Sequence, residues 1–169
     1  IAGRMLPREE QAALFLACAR WKTPARERNR AILAVGLGAG LRRAELASLE
    51  IENYSARDRS LTVIGKGNKQ RTVFLSEQAC GVLAAWLRLR GVGAGFIFPP
   101  FDASRRPVLG LKMSLGGLSD LIARMADEAG VVDFSPHDLR RTCISTLLEK
   151  TKDLSTAQQI AGHSSPETT

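Results

Sequence analysis

Cysteine is scarce, and the three present, Cys18, Cys80 and Cys143, show no CxxC spacing. An odd number of thiols lying in apolar stretches suits a reducing cytosol, where cysteine behaves as a small hydrophobe, and offers no zinc-ligand pattern. Long apolar runs are missing as well. Nothing approaches the roughly 20 residues that cross a bilayer, which excludes a membrane-spanning helix. The first residues lack a charged head followed by an apolar run and a small-residue cleavage site, so nothing points to secretion. The chain opens on Ile1 rather than Met, as expected of a fragment. Internal repeats and low-complexity segments are absent too.

What is present is an ordinary globular composition, 44% hydrophobic and 24% charged, over 169 residues. That length buries one apolar core and is short for two, so a single domain is expected. Lys and Arg number 24 against 17 Asp and Glu, a formal charge of +7. Such an excess favours a polyanionic partner, nucleic acid first, through release of counterions from phosphates. A basic but unremarkable surface fits the charge equally well, so motifs must decide.

Pro7, Arg8, Glu9 and Glu10 open a helix expected to run to about Trp21, with acids in the first turn facing the macrodipole. A second helix should start near Ala25 and weaken at Gly36, Gly38 and Gly40, with a third over residues 41–49. Ser60–Ile64 and residues 71–75 flank Gly65, Lys66, Gly67, Asn68 and Lys69, which reads as a hairpin with a flexible basic tip. Ser76 caps a helix through Val82, Leu83, Trp86 and Leu87 that Gly91 closes, and residues 96–100 are extended. Two further helices are expected over about residues 114–129 and 135–150. Ser155 or Thr156 then caps a short helix ending at Gly162, before a polar tail. The fold class is therefore mainly α with a small antiparallel β-sheet, α+β.

Four clusters are placed to carry chemistry, each with a plainer alternative. Arg42 follows the Gly40 turn at a helix start, where a guanidinium reaches an anion beside free backbone N–H groups. Glu45, three residues on, is spaced to orient it, although Arg42 taken alone is as well read as a solvated surface residue. Lys66 sits between two glycines at the hairpin tip, positioned to enter a DNA groove and donate a proton, or simply to keep the tip polar. His137 and Arg140 are three apart near a helix start and suit one phosphate or a surface cluster. His163 follows Gly162 and is either a ligand or a polar terminal residue. Two arginines, a lysine and two histidines are the donors that phosphoryl transfer without metal requires, since fixed cations stabilise the charge that grows on the five-coordinate phosphate. No paired carboxylates suited to magnesium stand beside them, so neither cofactor nor metal is expected.

Read in order, GLRRAEL, GKGNKQRTVFL, HDLRRT and AGHSS resemble the successive active-site motifs of the tyrosine recombinase or phage integrase family, over Gly40 to Ser165. The resemblance implies that Arg42 and Arg140 clamp the scissile phosphate, that Glu45 supports Arg42, and that Lys66 is the general acid for the 5′-hydroxyl leaving group. It implies that His137 assists proton transfer at the nucleophile and that His163 hydrogen-bonds the phosphate. It further implies a mainly helical catalytic domain, a 3′-phosphotyrosyl intermediate, and a synaptic tetramer on double-stranded DNA in a bacterial, nucleoid-associated, cytoplasmic setting. In the family the nucleophilic tyrosine lies about nine residues after the Gly-His pair. The sequence ends at Thr169, before that point, so residues 1–169 are expected to form a catalytic domain cut short of its nucleophile, without the N-terminal DNA-clamping domain. Tyr54, the only tyrosine, matches no nucleophile position and is assigned to packing or a turn.

Other readings compete. A DNA-binding relative without chemistry would explain the missing tyrosine, though not the phosphate-clamping set. A buried strand over residues 31–40 entering a nucleotide loop, with Asp58 on a ribose, founders on GxGxG spacing and on the lack of alternating βαβ elements. A type IB topoisomerase shares the chemistry, but compact motif spacing favours the integrase branch.

Overall fold

The computed structural model describes residues 4–151, without the side chains of residues 148–151. Helix α1 spans Arg8–Cys18, with Glu9 and Glu10 in its first turn. It stops earlier than the expected Trp21 because the amides of Ala19, Arg20 and Trp21 each reach back only three residues, to Leu16, Ala17 and Cys18.

Helix α2, Ala25–Ala39, passes straight through Gly36 and Gly38. The expected weakening does not occur, for a packing reason. A Cβ at Gly36 would lie 2.8 Å from Leu139 Cδ1, and one at Gly38 would lie 3.4 Å from Leu75 Cδ2. Both glycines let neighbouring elements press onto the helix, and that contact offsets their poor propensity of about 1 kcal/mol each. The helix ends at Gly40, which adopts φ 66° and ψ 37° and donates its amide to Gly36 O. Because residues 31–39 are helical, the strand-into-nucleotide-loop reading fails.

Helix α3 covers only Arg43–Ser48, since Arg42 before it is extended. The sheet has three strands, β1 Tyr54–Ser55, β2 Ser60–Ile64 and β3 Gln70–Phe74, in antiparallel order β1-β2-β3. The short β1, not anticipated, pairs Tyr54 with Leu61. Between β2 and β3 the tip turns through Gly67 and Asn68, both at positive φ, and Gly65 donates to Lys69 O at 2.8 Å. Ser76 accepts from Ala79 N to start α4, Glu77–Arg90, and Ser114 accepts from Gly117 N to start α5, Leu115–Ala129. Helix α6 covers Pro136–Thr151.

The core gathers Leu14, Ile32, Leu33, Leu83, Trp86, Ile122, Met125 and Leu139, each at most 1% exposed. Helix α2 lies in its middle, packed on α1, α4 and α6, while α5 packs on α1 and α3. The C-terminal end of α2 therefore meets α3, the hairpin and the start of α6 in one place. Among the described residues no helix is long and apolar enough to cross a membrane. The expected helix ending at Gly162 and the polar tail after it lie outside the described residues.

Candidate active site

The site begins with a carbonyl left over at a helix end. Gly40 O has no partner within α2 and accepts from Arg140 Nη1 at 2.6 Å in a buried setting. The guanidinium of α6 thus caps α2 at the pole where the macrodipole favours a cation. Helix α6 is itself anchored: buried Asp138 accepts the amides of Ser135 and Arg4, both at 2.7 Å, and Thr142 accepts the amide of Leu6 at 2.9 Å.

Two residues past Gly40, Arg42 is the N-cap of α3, and its amide donates to Glu45 Oε1 at 2.8 Å. An arginine side chain has no acceptor with which to cap, so its guanidinium is left for other contacts. The Glu45 side chain is only 5% exposed, and three guanidiniums surround it. Arg71 grips it with two bonds, Nη1 to Oε2 at 2.6 Å and Nη2 to Oε1 at 3.0 Å. Arg42 Nη1 lies 3.5 Å from Oε2 and Arg140 Nη1 lies 4.0 Å from Oε1.

Burial alone would raise the Glu45 carboxyl, but the hydrogen bonds from Arg71 and the Arg42 amide, with the charges of both arginines, outweigh it and hold the group below its ordinary value. Arg140 is pushed down to about 10, first by burial and then by the nearby charge of Arg42. It remains a cation at neutral pH. Among the described residues three guanidiniums face one carboxylate, and the cluster opens to solvent through Arg42, whose side chain is 34% exposed against 4% for Arg140 and 9% for Arg71. Preset guanidinium donors beside a solvent opening suit an incoming anion with several oxygens, such as a phosphodiester.

Arg42 and Glu45 of the GLRRAEL motif and Arg140 of the HDLRRT motif are thus brought together. The hairpin joins them at its root: a Cβ on Gly65 would stand 3.3 Å from Glu45 Oε2. Lys66 is exposed at the tip beyond it, and His137 is exposed in the first turn of α6; neither side chain has a hydrogen-bond partner among the described residues. His163 lies outside the described residues.

Arg71 and Asp138 were not singled out from sequence. The signal for Arg71 was present, since it shares the inward parity of β3 with buried Val73. Tyr54 packs against the core with its hydroxyl bonded to Cys80, and burial, then that bond, raise its pKa. This fits the packing assignment. Cys18 and Cys143 are buried thiols raised to about 12 and about 11, mainly by burial.

A family model described as the phage integrase family matches residues 4–169. The tyrosine recombinase XerC of Chromohalobacter salexigens is 36% identical over 170 residues, covering 98% of this chain and 55% of that protein. The crystal structure of XerA recombinase superposes with a TM-score of 0.82 at 26% identity, covering 99% of this chain and 59% of that one. XerH site-specific recombinase, in a pre-cleavage complex with its difH substrate, shares the fold at a TM-score of 0.74 and 24% identity, covering 97% of this chain and 48% of that one. The chain spans about half the length of the curated relatives it matches.

Proposed function

Because the chain belongs to the phage integrase family, we propose that it is the catalytic domain of a tyrosine recombinase that cuts and rejoins double-stranded DNA at specific sites. The observation that carries this reading is the buried Glu45 carboxylate encircled by Arg42, Arg71 and Arg140, with Arg42 open to solvent. In the proposed reaction Arg42 and Arg140 hold the non-bridging oxygens of the scissile phosphate, and Glu45 fixes the Arg42 backbone. A tyrosine oxygen supplied from sequence following Thr169 attacks phosphorus, the bond to the 5′-oxygen breaks, and Lys66 gives that oxygen its proton. His137 assists proton transfer at the tyrosine, and His163 donates to the phosphate.

The phosphodiester energy is kept in the 3′-phosphotyrosyl bond, so the step calls for neither ATP nor metal and runs in both directions. Residues 1–169 act with an N-terminal DNA-clamping domain, as a tetramer on two duplexes, in the cytoplasm beside the nucleoid.

The test is a nicked suicide duplex carrying the cognate site, incubated with the intact protein. A covalent protein–DNA band that vanishes when the downstream tyrosine is replaced by phenylalanine is the expected result. Firm DNA binding with no band under any condition would favour a non-catalytic DNA-binding relative.

A further inference from the structure

Glu45 is a buried anion within reach of three cations, and the distances rank them. Arg71 holds both carboxylate oxygens at 2.6 and 3.0 Å, while the guanidiniums of Arg42 and Arg140 stand off at 3.5 and 4.0 Å and Arg42 reaches Oε1 through its amide at 2.8 Å. A bidentate guanidinium pair is the strongest contact available to a carboxylate, and its planar geometry fixes the direction in which the carboxylate faces. Arg71 is held in place for this. It lies in β3 opposite Val63, its side chain is 9% exposed, and Gly65 at the hairpin root leaves room where a Cβ would stand 3.3 Å from the Glu45 Oε2 it binds.

Glu45 has two further cations to turn to if Arg71 is removed. A carboxylate this deeply buried does not stay unpaired when guanidiniums stand within 4.0 Å. It would close onto Arg42 and Arg140 and cancel positive charge where a phosphate is to be held.

Resting on the recombinase reading above, we infer that Arg71 is a positioning residue for strand cleavage: by taking both oxygens of Glu45 it keeps that carboxylate from settling on the Arg42–Arg140 pair. Arg71 touches no reacting atom in this scheme. Its effect passes through Glu45, so removing the Glu45 charge must relieve the loss of Arg71. A residue that only supported the fold would not behave this way.

The experiment is single-turnover cleavage of a suicide duplex by the intact wild-type protein and by R71A, R71K, E45Q and R71A/E45Q, with DNA Kd and thermal stability measured alongside. R71A is expected to slow cleavage by roughly 10- to 100-fold with Kd within about threefold of wild type, since misdirected charge acts on the transition state more than on binding. R71A/E45Q should cleave about tenfold faster than R71A, a reversal of sign that double-mutant logic assigns to direct coupling. R71K keeps the charge but not the fork, and should fall between wild type and R71A. If R71A is too unstable to assay, R71K and R71K/E45Q carry the same comparison at smaller amplitude. Wild-type cleavage by R71A, or a double variant no faster than the single one, would overturn the proposal while leaving the recombinase reading standing. Failure of the wild-type protein to cleave would remove that reading and the proposal with it.

Discussion

At Glu45 the balance of charge makes a prediction about pH. Its folded pKa is lowered, so its stabilising contribution is present above the ordinary glutamate value and is lost as pH falls through the folded one. Below about pH 4.3 the wild-type protein should therefore shed stability that E45Q does not, visible as urea midpoints that converge as the pH drops. Midpoints that run parallel throughout would show that Glu45 does not titrate as a paired group. Arg140 supplies a second test: Arg140→Ala leaves the buried Gly40 carbonyl without its donor, at a cost of about 1–3 kcal/mol in urea unfolding at pH 7. Arg42, Glu45 and Arg140 were legible because each sits in a motif whose order and residue types point to phosphate chemistry. Arg71, although inside the GKGNKQRTVFL motif, was not, because its partner is 26 residues away across α3 and β3, and a strand arginine reads as solvated until the parity of its neighbours is weighed.

At the scale of elements, helix ends were legible where a local side chain sets them. Ser76 begins α4 as its capping chemistry requires, and the expected bounds near 114 and 129 agree with α5, Leu115–Ala129. Gly36 and Gly38 were misread because what retains them in α2 is Leu139 and Leu75, distant in sequence and invisible to local propensity. The two-residue β1 is too short for any alternation to announce it. Gly36 and Gly81 now make opposite predictions. A Cβ at Gly81 in α4 meets nothing within 4 Å, so Gly81→Ala should stabilise by about 0.5–1 kcal/mol through helix propensity. Gly36→Val should destabilise by about 1–3 kcal/mol, because it forces a branched side chain into buried Leu139. Equal effects of the two substitutions on the thermal midpoint would contradict the packing account of α2.

For the whole molecule, a formal charge of +7 was a prior for a polyanion that motifs turned into a specific reading. The fold supports that reading by gathering residues from α3, β3 and α6 at one end of α2. Not legible from sequence was the way the charges are shared among the described residues: the buried Glu45 carboxylate serves three arginines, of which Arg42 is the most open to solvent. The measurement that tests this most directly is single-turnover cleavage by Arg42→Ala in the intact protein, with DNA Kd determined on the same preparation. Loss of a preset donor at the phosphate predicts a fall in cleavage of about 100-fold or more, with most DNA affinity retained. Cleavage at the wild-type rate by Arg42→Ala would contradict the assignment of this cluster as the phosphate clamp.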